Sequence, residues 1–129
     1  MLPEDRKYSK EHEWIKIDGD KGVVGITDYA QKELGDVVYV ELADIGTAVK
    51  AMEVFGNIES VKAVSELFCP VSGEVVDANQ KVIDSPELVN VDPYEEGWLL
   101  TVKIEDQVEL EELLSPAQYQ EYLDKEEGG

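Results

Sequence analysis

No apolar stretch in this chain is longer than a few residues, and many of the apolar side chains alternate with polar ones. Alternation with a period of two marks a strand that buries one face. Residues 98–104 read as a strand that sets Leu100, Val102 and Ile104 against Thr101 and Lys103. Residues 37–42 read the same way, with Val38, Val40 and Leu42 on one side and Tyr39 and Glu41 on the other. Residues 14–17 and 23–26, separated by "DGDKG", form a hairpin pattern. Further strands are read at 67–71 and 73–76, and in "ADIGTAVKAMEVFG" after a turn. Many short strands joined by Gly-rich turns predict a mostly β fold, a small antiparallel barrel or sandwich.

Helix signals are confined to short segments. In "TDYAQKELG", Thr27 can cap a helix and Gly35 can end it. Asp106 with Glu109 makes a capping-box pattern, and Ser115, Pro116 and Gln118 make another. Two terminal helices are therefore expected over about 106–125, with "DKEEGG" fraying beyond them. "DSPELVNVDPYEEG" reads as a long loop. "GDVV" at 35–38 recurs as "GEVV" at 73–76, which two related half-sheets or coincidence would equally produce.

With 129 residues, 43% of them hydrophobic, the chain can bury a core as one domain spanning 1–129. Its apolar runs are too short to cross a membrane. "MLPEDRKYSKEHEW" lacks the apolar centre of a secretion signal and the Arg-rich, acid-poor character of a transit peptide, so a cytoplasmic protein is expected. A net charge of −19 repels phosphate backbones and anionic membranes, and steers basic partners toward the surface. The same charge would also serve as a plain solubility coat.

Single copies of Cys69 and His12 rule out an internal disulfide and any Cys-based or His-rich metal cluster. No Ser–His–acid set or phosphate loop is present, so no catalytic residue is assigned. Cys69 alternates with Leu67 and Val71, and is expected to be a buried, inert thiol.

The segment that breaks the pattern is "ESVKAVSE". Before it, Val54, Gly56 and Ile58 occupy even positions. After it, Leu67, Cys69, Val71 and Val75 occupy odd ones. A one-residue change of phase means the strand is interrupted between Ser60 and Ser65, with Lys62 near the apex. The reversal forgoes Gly, Asn, Asp and Pro. Ser60 and Ser65 can bond to local backbone instead, which would make a pedestal for Lys62. An ordinary solvated hairpin lysine would fit the same spacing.

"KEHEW", "VGITDYAQKELGDVVYVEL", "FGNIESVKAVSE", "CPVSGEVV" and "ELVNVDPYEEGWLL" resemble, in this order over roughly residues 7–104, the H-protein family of the glycine cleavage system. The resemblance implies a lipoyl-domain-like barrel-sandwich hybrid, with short helices after the first hairpin and at the C-terminus. It implies that Lys62 carries lipoic acid as an amide. The protein would be a non-catalytic carrier serving three enzymes. A glycine decarboxylase loads an aminomethyl group on the arm, a tetrahydrofolate-dependent aminomethyltransferase removes it, and a dihydrolipoyl dehydrogenase reoxidises the dithiol. A lipoylating enzyme is a fourth partner, and Glu59, just before the turn, is expected to help it recognise the site.

The family shields the loaded arm in a cleft, where acids near "HEW" and after the lysine hold the amine. Glu13 matches one such position. Glu66 stands where Asp is frequent, Glu11 where Ser is common, and Tyr29 where many members have His in "TDHAQ". Biotin carriers usually flank their lysine with Met, whereas Val61 and Ala63 stand here. Lipoyl domains of 2-oxoacid dehydrogenases usually have Asp before the lysine and lack the "HEW" and "EEGW" segments. A role in relaying lipoate to other enzymes stays open.

Overall fold

Residues 2–127, which the computed structural model describes, form nine strands in two sheets, with short helices at their edges. The larger sheet runs β1 (Lys7–Tyr8), β2 (Glu13–Asp18), β3 (Lys21–Ile26), β9 (Leu100–Ile104), β8 (Gly73–Ala78), β5 (Ala48–Val49). The smaller runs β4 (Val37–Leu42), β6 (Val54–Ser60), β7 (Val64–Phe68). Every pairing is antiparallel. Ile15, Val24 and Val102 of one sheet meet Val40, Ile58 and Leu67 of the other in a shared apolar core. This is the expected β sandwich, the barrel-sandwich hybrid of a lipoyl-type domain.

Helix α1 (Asp28–Leu34) starts and stops as its sequence directs. The Thr27 side chain accepts the Ala30 N–H, and the N–H of Gly35 returns to the Gln31 carbonyl. In the last helix, α4 (Pro116–Glu127), the Gln118 N–H donates to Ser115 Oγ and the Ser115 N–H donates to the Gln118 side chain. That is a complete capping box. The helix runs through Glu127, and the remainder of the expected fraying segment, residues 128–129, lies outside the described residues.

The structure corrects several sequence readings. Val38 does not share a face with Val40, because a bulge lies between Val37 and Tyr39 where β4 pairs with β6. An extra residue shifts the alternation by one, and Val38 turns outward. A second irregularity, between Val54 and Gly56, buries Phe55 and exposes Val54. The strand after the lysine turn begins at Val64 and ends at Phe68 rather than spanning 67–71.

The region read as a long loop contains α3 (Leu88–Val91), preceded by α2 (Gln80–Asp84). Val82 and Val89 are buried, and these single-turn helices are held by packing rather than by propensity. Asp106 caps a 3₁₀ helix, Gln107–Glu112, as expected. Glu109 does not close the box, because its carboxylate accepts from the Ser72 N–H at 2.7 Å and the Ser72 hydroxyl at 2.8 Å. The glycines of "GDVV" and "GEVV" do different work. Gly35 adopts φ +79° at a helix end, whereas a Cβ on Gly73 would lie 2.1 Å from the Lys103 carbonyl oxygen.

Candidate functional site: a lysine hairpin beside a cleft with a buried carboxylate

Between β6 and β7 the chain reverses over Val61, Lys62 and Ala63, at the predicted interruption. Ser60 supplies what Gly or Asn would otherwise give. Its hydroxyl oxygen accepts the N–H of Lys62 at 3.3 Å and of Ala63 at 3.1 Å, and its own N–H donates to the Ala63 carbonyl at 2.8 Å. The Val61 N–H donates to the Asp36 carbonyl, tying the hairpin to the junction between α1 and β4. Lys62 is exposed, and its stem passes Gly35 so closely that a Cβ there would meet Lys62 Cε at 3.3 Å. Ser65 bonds only weakly, its hydroxyl lying 3.4 Å from the Glu66 carbonyl.

A second turn joins β1 to β2. His12 closes it with φ +71°, a left-handed conformation that non-glycine residues seldom adopt. Ser9 again holds the turn. Its hydroxyl accepts the Glu13 N–H at 3.1 Å and donates to Glu13 Oε1 at 2.6 Å. The other oxygen, Oε2, accepts the Phe68 N–H from β7 at 3.3 Å. Glu13 is only 2% exposed, and among the described residues no cation pairs with it. Burial pushes its carboxyl up to about 8, against the pull of its hydrogen bonds.

Between these turns lies a cleft of about 290 Å³. One wall is the lysine's own hairpin, from Ala63 to Leu67. Glu11, Glu13 and Tyr29 line the cleft as well, with Ala30, Glu33 and Leu34 of α1. Glu66 lines the hairpin side, so all four cleft residues expected from the sequence border one space. Glu59 does not border it. It sits on β6 opposite Tyr39 of β4 and Val64 of β7. The His12 ring packs against the Tyr29 ring at 4.6 Å between centroids, and its Nδ1 lies 2.8 Å from the Tyr119 hydroxyl. That hydroxyl also bonds the Thr27 cap of α1, so α4 braces the back of the cleft.

Residues 6–126 match the family model for the glycine cleavage H-protein. A glycine cleavage system H protein from Carboxydothermus hydrogenoformans is 55% identical over 126 residues, covering 98% of this chain and 97% of the relative. One from Halalkalibacterium halodurans is 53% identical over 125 residues, covering 97% and 98%. The chain belongs to the glycine cleavage H-protein family. Its backbone also matches the crystal structure of a glycine cleavage system H protein from Mycobacterium marinum. The TM-score is 0.86 at 40% identity, covering 99% of this chain and 100% of that one. Members of this family are lipoyl carriers of the glycine cleavage system, and that is the function of this chain. The family match extends past the sheets through most of α4, the segment that braces the cleft.

Two contributors to the site escaped the sequence reading. Ser9 is four residues before Glu13 in an unremarked polar stretch, and only the turn brings it onto the carboxylate. Asn90, in the supposed loop, donates to the Gln31 side chain at 3.0 Å and to the Gly35 carbonyl at 2.8 Å, and accepts the Val37 N–H at 2.8 Å. It clamps the junction on which the lysine hairpin rests. An Asn amid apolar residues in a segment rich in Pro and acids was the available signal.

Proposed function

We propose that Lys62 is the lipoyl attachment site and that the cleft beside it receives the far end of the arm. The observation that carries this reading is the shared cleft. Residues 63–67, which follow Lys62 directly, line the same cleft as the buried Glu13 carboxyl, with which no cation pairs among the described residues. Such a carboxylate fits an ammonium group delivered by a tether anchored next door. When bound, the lipoyl group supplies a dithiolane that exchanges between disulfide and dithiol and carries a one-carbon amine.

The chain's own residues supply the shelter. Ser9 and the Phe68 N–H aim the Glu13 carboxylate. Burial raises the Glu13 carboxyl, and an ammonium beside it would pull it back down, because an opposite charge favours the ionised form. Glu11 and Glu66 add negative charge at the rim, and Glu66 reaches with a longer stem than the family's frequent Asp. Tyr29 and His12 narrow the space left for water. Tethering at Lys62 would keep the reactive end of the arm at high effective concentration beside the cleft.

In this reading the chain catalyses nothing and acts as one lipoyl-bearing domain over 1–129, its core at about 7–104. It is cytoplasmic. Its partners are glycine decarboxylase, aminomethyltransferase, dihydrolipoyl dehydrogenase and a lipoylating enzyme that reads Glu59. The test is the intact mass of protein purified from its native host, followed by peptide mapping. One lipoyl amide on Lys62 is expected. An unmodified Lys62, or a lipoyl group on another lysine, would overturn the assignment.

A further inference from the structure

The outer face of the small sheet is uncovered. Register places Tyr39, Glu59 and Val64 directly across from one another on β4, β6 and β7, so their side chains share one face. The next row on that face is Glu41, Asn57 and Glu66. The alternate row, Val40 and Ile58, is buried, which fixes the Tyr39 row as the solvent side. Tyr39 is 47% exposed and Val64 is 69% exposed. Val61, beside the lysine, is also 69% exposed, and the bulge in β4 leaves Val38 at 54%.

A face that only had to be wet would carry polar residues at these positions. Here an apolar row is interleaved with acids at the base of the Lys62 hairpin. Among the described residues no ion pair engages Glu41 or Glu59. The Tyr39 hydroxyl donates to Glu41 Oε2 at 3.4 Å, and exposed apolar side chains beside acids that lack a counter-ion have the make-up of an interface.

We infer that the Tyr39–Glu59–Val64 face docks a partner protein whose contact surface is apolar at its centre and rich in Lys and Arg around it, and that this partner is the decarboxylase that loads the arm. Charge complementarity selects the partner's chemistry. A second copy of a chain with net charge −19 would set acid against acid. The stage of the cycle favours the loading enzyme over the one that removes the group. The loading enzyme meets the arm before the cleft holds a cation, so it has no need to open the cleft and can read the hairpin from its outer face. The inference rests on the carrier reading above.

The experiment uses the full chain, lipoylated and verified by intact mass. The variants are the double substitution Val38→Ser with Tyr39→Ser, neither of which lines the cleft, and Glu59→Gln alone. Glycine decarboxylation by purified glycine decarboxylase is followed while the carrier concentration is varied. The double variant is expected to raise KM about tenfold with kcat unchanged, as removal of a small apolar contact centre does. The KM of the parent should climb as salt is added, and that of Glu59→Gln should climb less steeply. A double variant whose KM stays within about twofold of the parent, with the same salt slope for Glu59→Gln, overturns the inference and leaves Lys62 untouched. A parent that accepts no aminomethyl group at all overturns this inference together with the carrier reading. A parent dimer in sedimentation that the double variant converts to monomer assigns the face to a second copy, and overturns it too.

Discussion

The turns at 60–63 and 9–13 share their local chemistry and end in opposite environments. In each, a serine hydroxyl accepts backbone N–H groups: Lys62 and Ala63 at one, Glu13 at the other. Yet Lys62 is exposed and Glu13 is nearly sealed. The difference lies in what packs on each turn. The tip of the lysine hairpin is exposed, and it is tied to the rest of the fold by the Val61–Asp36 bond and the approach to Gly35. Over the other turn, β7 donates the Phe68 N–H to the carboxylate, and α4 holds His12 through Tyr119. A serine staple rigidifies a turn, and tertiary neighbours decide whether it offers a side chain or encloses one. The proposed carrier needs both, an exposed anchor and an enclosed receptor.

The comparison breaks most sharply at the exposed turn. Lys62→Arg keeps the charge but offers no amine for amide formation. The variant should fold with the parent's Tm, stay unmodified by intact mass, and support no glycine cleavage in a reconstituted system. Any turnover comparable to the parent would mean that the anchor is elsewhere.

The enclosed side has an independent witness in Cys69, just past Phe68. It is fully buried, and burial pushes its thiol up to about 12, so almost no thiolate exists at neutral pH. A thiol reagent should label it slowly in the native protein and orders of magnitude faster in denaturant. Rapid native labelling would show that the wall behind Glu13 opens readily.

Next comes Glu13 itself. A charge-assisted hydrogen bond to an ammonium is worth roughly 1.5–3 kcal/mol, about a tenfold or greater change in occupancy. Glu13→Gln, loaded with labelled glycine and freed of the decarboxylase, should therefore release label to water about tenfold faster or more. Glu66→Gln should act in the same direction, more weakly. Equal release from Glu13→Gln and parent would remove Glu13 from the receptor.

The same carboxyl gives a smaller effect without any arm. Its folded pKa, about 8, lies above its ordinary value of 4.5, so the native state holds an extra proton between those limits. The parent's stability should then fall as pH rises from about 4.5 to about 8, and level off beyond. Glu13→Gln does not titrate, so the Tm of the variant relative to the parent should rise across that window in a pH series of thermal melts. A constant difference would mean that the enclosure is wetter than its geometry.

The smallest effect belongs to the exposed staple. Ser60→Ala returns the two N–H groups to water and should cost no more than about 1 kcal/mol in denaturant unfolding. Lipoylation should slow by a small factor as the hairpin loosens. A loss as large as that of Lys62→Arg would make Ser60 more than a staple.

By itself the sequence determined the strand-rich class, the caps of α1 and α4, the interruption at Lys62 and the burial of Cys69. All of these follow from alternation and short-range hydrogen bonding, which act over a few residues and so are written in consecutive letters. Family motifs named Glu11, Glu13, Tyr29 and Glu66 as neighbours, and no local pattern could have done so. Only tertiary structure decided the rest. The bulges that expose Val38 and bury Phe55 depend on how β6 pairs with its partners. Glu109 left its capping box because Ser72, 37 residues away in sequence, competes for it. Asn90 became a clamp only when α3 came to rest against α1 and β4. The carboxylate of Glu13 is one of 30 acidic groups in the chain. What sets it apart is desolvation by elements distant in sequence, and burial is a property of the assembled fold.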